Sequence, residues 1–373
     1  MRKLVAVLSL GIVTLAAASG CDLLTDHSVA VGPGQAAVHT SFSVYGSGFG
    51  DAAGTVTVGG LPAKITSWAD GYIMARVPVI ATPGGASVEA DVVVRTAEGE
   101  EYTGNVTVVR GILFQTNREG DWEIYVMNPD GTNPTNISRN TADDVAPDWS
   151  PDGTRIAFCR WVGNERHIYA MDADGANAKR LTAGTGWQQN PDWAPDGTWI
   201  AFDNSAPSEK TQLYLVRPDG TLVEKLSRGT RAESFPAWSP DGLGVAFTSP
   251  GDGTNEDVYL MELSTGEIYR VTEQPGVDTS AAWSPDGLRL AFASMIDGDY
   301  DIRVFDSEDG TFANRTPTRD TQIEPTWSPD GTRLVYSGGS GGAYDVYSMP
   351  ASGGPATQLT SGGSLNMHPC WGS

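Results

Sequence analysis

Histidine is scarce in this chain: four occur in 373 residues, at positions 27, 39, 167 and 368. Two of them precede the repeated part described below, so a three-histidine metal site cannot be assembled within it. Cysteine is rarer still. Cys21, Cys159 and Cys370 stand in no metal-like spacing, and the last two are expected as buried free thiols. Basic residues are outnumbered, 24 against 46 acidic, for a net charge of -22 spread along the chain. Such a surface repels phosphate backbones and excludes nucleic acid as a partner. Helix-period stretches are absent after the first twenty residues, and with 45 Gly and 23 Pro the chain is expected to be all-β. The one long apolar run, Leu4 to Ala18, is too short to cross about 30 Å of hydrocarbon.

That run follows Arg2 and Lys3 and stops at Ser19-Gly20-Cys21, the charged start, apolar middle and small-residue end of a secretory signal. Ala18-Ser19-Gly20-Cys21 resembles a bacterial lipobox, without the usual leucine at its first position. The resemblance implies a signal peptide over residues 1–20, lipidation at Cys21 and a linker over 21–28. It places the protein in the bacterial envelope, exported and held to a membrane through the lipid alone.

Internal repetition organises residues 111–373. Tryptophans recur at Trp149, Trp193, Trp238, Trp283, Trp327 and Trp371, at intervals of 44, 45, 45, 44 and 44. Apolar triplets keep step with them, from Ile112-Leu113-Phe114 to Leu334-Val335-Tyr336, as do strands such as Glu123-Ile124-Tyr125-Val126-Met127. Turns of the type Ser150-Pro151-Asp152-Gly153 join them, proline setting the second position and glycine taking the left-handed one. Their recurring aspartates are expected to be turn residues, not catalysts. The period fits four-stranded propeller blades. The stretch ending Pro369-Cys370-Trp371 matches the first strand of a repeat, so it is expected to complete the N-terminal blade and close the ring. These six copies resemble the TolB-type propeller repeat family and imply a six-bladed β-propeller.

Residues 29–110 differ. Val44-Tyr45-Gly46-Ser47-Gly48-Phe49-Gly50, Val56-Thr57-Val58-Gly59-Gly60 and the alternating stretch at Val92-Val93-Val94 read as short strands broken by glycine, a β-sandwich. In this order they resemble the IPT/TIG immunoglobulin-like fold, whose members serve as spacers or interaction modules.

Catalysis finds no support here. Related propellers cap hydrolases that carry a separate α/β domain with the nucleophile, which these residues do not contain. The one Gly-x-Ser-x-Gly string, Gly338 to Gly342, is expected to be a loop between two strands, and Asp297-Gly298-Asp299-Tyr300-Asp301, which imitates the start of a calcium loop, a turn. No metal or cofactor is expected. Binding remains. Five residues before each tryptophan stand Asp144, Gln188, Glu233, Asp278, Gln322 and Asn366. If the inner strands line the axis, these six ring one mouth of the channel, with Trp122, Trp161 and Trp187 from loops on the same face. The expected function is a non-catalytic, monomeric envelope protein binding a protein or polysaccharide at that mouth. A carbohydrate-active enzyme is the alternative, and needs carboxylates paired across the channel at about 5–9 Å.

Overall fold

A computed structural model describes residues 28–372, apart from 33, 83, 84, 86, 207, 208, 252–254 and 297. The leader, Cys21 and His27 lie outside the described residues, as does Asp297. The described chain is all strand and loop but for a short turn at Gly85.

Residues 30–109 form two sheets, one of four strands and one of five. Alternation decides their faces. In Ser41–Tyr45, Phe42 and Val44 are buried, and in Val88–Arg95 Ala90, Val92 and Val94 are buried between exposed neighbours. The inward rows of both sheets share one core with Phe49, Val56, Ile73 and Val108.

After Arg110 the described strands form four antiparallel sheets of four strands and one sheet of eight, in which two four-stranded antiparallel repeats are joined by a single parallel pair, Arg166 with Trp187; each four-stranded repeat is one unit. Unit 2 is typical: inner strand Asp144–Trp149, second strand Arg155–Val162, third strand Glu165–Asp172, outer strand Lys179–Arg180. Units 3 to 6 begin with the inner strands Trp187–Trp193, Ser234–Trp238, Val277–Trp283 and Thr321–Trp327. Unit 1 takes its inner strand from the far end of the chain. Asn366–Cys370 pairs with Ile112–Thr116, joining Leu113 to Cys370 and Thr116 to Asn366. The expected closure is therefore present.

The second strands are buried on both faces, which is why their apolar triplets show no alternation. A ring pair crosses from second to third strand in five units: Phe114–Tyr125, Phe158–Tyr169, Phe202–Tyr214, Phe247–Tyr259 and Tyr336–Tyr347, with centroids 5.7–5.9 Å apart. In unit 5 Arg303 replaces the tyrosine, and Phe292 packs edge-on against Phe312 instead. Neighbouring units are stapled through the tryptophan strand: Asp148 Oδ2 accepts from Trp193 N at 2.8 Å, and Asp192 Oδ2 from Trp238 N at 2.7 Å.

The recurring turn aspartates are structural. Asp152 Oδ1 accepts from Ser150 Oγ, Thr154 N and Thr154 Oγ1, and Asp330 repeats the pattern with Ser328 and Thr332. Gly338, Gly339 and Ser340 belong to a ladder closed by Gly341-Gly342, both at positive φ, so the serine of that string sits in a hairpin. Cys159 and Cys370 are free and buried.

The N-terminal sheets sit on the end of the units where inner strand turns into second strand. Thr82 N donates to Asp152 O at 2.8 Å. Arg110, 2% exposed, sends Nη2 to Thr82 O at 2.7 Å and to Pro151 O at 2.8 Å. Asn128 Oδ1 accepts from Ala37 N at 3.0 Å and Thr40 Oγ1 at 3.1 Å. A further contact joins His39 Nε2 and Arg139 Nη2 at 3.1 Å, in the segment between the outer strand of unit 1 and the inner strand of unit 2.

Candidate functional site: the central cavity and its open end

All six units contribute to one central cavity of about 150 Å³, which opens into a vestibule of about 560 Å³. Its walls come from a feature absent from the sequence-based expectation. Each inner strand is interrupted by a bulge three residues before its tryptophan, where Ala146, Asn190, Phe235, Ser280, Glu324 and His368 take φ of 48–56°. The ladder slips at each of these places, between Val145 and Asp148 in unit 2 and between Ile323 and Thr326 in unit 6. The six left-handed residues line both cavity and vestibule.

The cause is legible once known. Proline follows the left-handed residue in five units, as Pro147, Pro191, Pro236, Pro325 and Pro369, with Ala281 in unit 5. Proline cannot donate to a ladder and is tolerated in a strand only at an edge or a bulge. In three units the N–H of the left-handed residue is met by a side chain of the preceding unit. Gln115 Oε1 accepts from Ala146 N at 2.8 Å, Asp203 Oδ2 from Phe235 N at 3.1 Å, and Glu324 Oε2 from His368 N at 2.8 Å.

The six residues expected at the channel mouth lie behind this ring. Asp144, Gln188, Glu233, Asp278, Gln322 and Asn366 are at most 5% exposed and do not line the cavity. The inserted bulge residue changes the alternation, so position minus three, not minus five, turns to the axis. Five of the six are tied into the sheets. Asp144 holds Arg160 through Nε and Nη2, both at 2.7 Å, and accepts from Asn140. Gln188 accepts from Thr182 Oγ1, Glu233 from Ser227 Oγ, and Gln322 donates to Thr318 Oγ1. Asn366 donates to Asp345 and accepts from Arg118. Burial pushes the carboxyls of Asp144, Glu233 and Asp278 above the usual range, in Asp144 against the pull of Arg160.

The aromatic part of the expectation does meet the vestibule. Trp122 and Trp161 line it, and Trp187 stands beside them, 49% exposed. Arg166 lies between two of these rings, its guanidinium carbon 4.2 Å from the Trp161 centroid and 4.6 Å from that of Trp187, and bonds Gln189 Oε1.

Inside, the polar groups are paired. His368 Nε2 is 2.6 Å from Glu324 Oε1, and Ser337 Oγ donates to Glu324 Oε2 at 2.8 Å. Burial pushes the Glu324 carboxyl up, but the imidazole and these hydrogen bonds outweigh it and hold it below the usual range. Burial pushes Asp148 and Asp203 up to about 6. Cys370 Sγ donates to Asp148 Oδ1 at 3.1 Å. Among the described residues, no three His, Cys, Asp or Glu side chains gather as a metal-ligand set.

Comparison with solved structures agrees on the architecture. TolB from Acinetobacter baumannii superposes with a TM-score of 0.64 at 18% identity, over 84% of this chain and 82% of that one. A putative TolB from Agrobacterium tumefaciens gives 0.57 at 20% identity, over 69% and 90%. Hydrazine synthase from Kuenenia stuttgartiensis gives 0.58 at 14% identity, over 69% of this chain but 46% of its own. At such identities the likeness concerns the fold alone. Comparison with curated proteins finds no match. The family model described as the TolB beta propeller domain matches residues 109–234 and 203–373, so that everything from residue 109 of the 373 is covered. With its repeated four-stranded units and closing C-terminal strand, the chain belongs to the TolB β-propeller domain family.

Proposed function

We propose that this is a non-catalytic envelope protein whose propeller has six blades and binds a protein partner at the vestibule. The observation that carries it is the Trp161–Arg166–Trp187 stack beside an open vestibule, at the end of the units opposite the turn that Arg110 holds. Tryptophan and arginine are the residues on which binding energy concentrates at protein interfaces, and a guanidinium held between two indoles gives up little further entropy on docking. The paired N-terminal sheets, of the IPT/TIG kind, act as a spacer, and a lipid on Cys21 holds the molecule to its membrane as a monomer.

The test is affinity capture from the native envelope with residues 28–373 as bait, beside a variant carrying Trp161→Ala and Trp187→Ala. A protein retained by the wild type and lost by the folded variant supports the vestibule. Equal capture by both sinks it, and release of the wild-type catch by soluble glycan but not by salt turns the reading to a carbohydrate partner.

A further inference from the structure

The start of every inner strand meets the same buried neighbourhood. A third-strand polar residue of the preceding unit, a Ser or Thr hydroxyl and the inner-strand residue five before the tryptophan come together there. The hydroxyl accepts from a third-strand N–H each time, as Ser138 does from Ile124 and Thr272 from Val258. Two of these junctions bring two carboxylates together: Glu123 with Asp144, and Asp257 with Asp278.

The first has its answer within the chain. Arg160 stands opposite Asp144 in the ladder and lays its guanidinium on both oxygens. In the second, the residue opposite Asp278 is Ser294. Asp278 is 1% exposed and neither of its oxygens has a hydrogen bond of good geometry. The Ser294 hydroxyl, 2% exposed, and Asp257 Oδ1 are in the same condition, while Asp257 Oδ2 is held by Arg270 at 2.8 Å. Ser294 thus holds, across the ladder from Asp278 and with the Asp257 charge nearby, the place where unit 2 has a cation. The Ser294 and Thr272 hydroxyls are the donors that reach Asp278, and they leave in unit 5 a buried carboxylate charge that a guanidinium meets in unit 2.

We infer that Asp257, Asp278 and Ser294 form a site for one hard divalent cation of calcium size, standing in unit 5 where the Arg160 guanidinium stands in unit 2. The donor set is oxygen only, which suits calcium and disfavours zinc or copper. Thr272 lies beside the carboxylate as a further oxygen. Burial pushes Asp278 up, with the Ser294 and Thr272 hydroxyls opposing it and Asp257 adding to it, while the charge of Arg303 pulls down. This site differs from any shared by Asp144, Glu233 and Asp278 across the ring, since the first two are already engaged. With two carboxylates the affinity belongs in the range of extracellular modules, about 10⁻⁴–10⁻³ M.

Thermal unfolding of the mature chain in about 5 mM calcium, against EDTA and against magnesium at equal ionic strength, tests it. Calcium is expected to raise the wild-type midpoint by about 1–3 °C and magnesium by less. Ser294→Arg brings the guanidinium of unit 2 into unit 5 and should abolish the calcium shift while keeping the fold. Asp278→Asn should abolish it as well, so the site can be judged even where the arginine is not accommodated. A wild-type midpoint that is the same in calcium and EDTA overturns the assignment. So does a calcium shift that survives in either folded variant.

Discussion

The imidazole of His368 and the carboxylate of Glu324 are joined twice, Nε2 to Oε1 at 2.6 Å and backbone N to Oε2 at 2.8 Å. Both residues are left-handed, at φ 48° and 56°, and they bind the last inner strand to unit 6 across the cavity wall. The Glu324 carboxyl is held below its ordinary value, so its contribution is fully present above about pH 4.5 and is lost as pH falls through the folded value. Glu324→Gln should cost about 1–3 kcal/mol at pH 7 and less at pH 3, measured by urea unfolding at both.

The opposite sign belongs to Asp203. Its folded value of about 6 lies above the ordinary 3.8, so the native state keeps the proton that the unfolded chain gives up. Stability from this group falls as pH rises between those values, by up to about 3 kcal/mol. Asp203→Asn retains an oxygen for Asn190 Nδ2 and Phe235 N. It should raise the midpoint at pH 7.5 and leave it unchanged near pH 3.5; a lower midpoint at pH 7.5 would show that the carboxylate is needed ionised.

Ala146 pays for its left-handed backbone without gaining a polar contact from its side chain. Ala146→Gly should therefore stabilise by about 0.5–1 kcal/mol, whereas Ala146→Val should destabilise by about 1–2 kcal/mol, since a β-branched side chain tolerates that region worst. Equal effects of the two changes in chemical denaturation would argue that the bulge relaxes.

Arg110 is the bolt between the two parts of the molecule. Arg110→Ala strips the donor from Thr82 O and Pro151 O and opens space beside Gly372. The expected cost is about 2–4 kcal/mol, and calorimetry should resolve two transitions in the variant and a single one in the wild type. A single transition at the wild-type temperature would assign the coupling to the Asn128 contacts instead.

The tryptophan period revealed the repeating units and the returning strand because the tryptophan itself recurs at 44 or 45 residues, while five of the six units also keep the ring pair between second and third strands. The cavity wall escaped notice for a local reason. Counting back from Trp149 assumes an unbroken strand, and under that assumption Asp144 faces the axis. Pro147 breaks the ladder, and Ala146 turns inward in its place. The sign of the bulge that the sequence does carry is the proline two residues before the tryptophan, present in five of six repeats, since proline interrupts a strand ladder. The balance around Asp278 could not be, because it depends on Ser294 standing across the ladder and Asp257 reaching over from another unit.

Strand Asn366–Cys370 closes a circle begun at Ile112, and the indole of Trp371 donates to the carbonyl of Arg110 at 3.0 Å. This fixes an order of events in folding. The other units can pair within themselves, but the first stays unpaired on one edge until a strand some 250 residues away in sequence arrives, and the N-terminal sheets rest on that unfinished unit. Closure of the ring and locking of the two parts thus become a single step, and a chain without residues 366–373 would present an open edge ready for proteolysis.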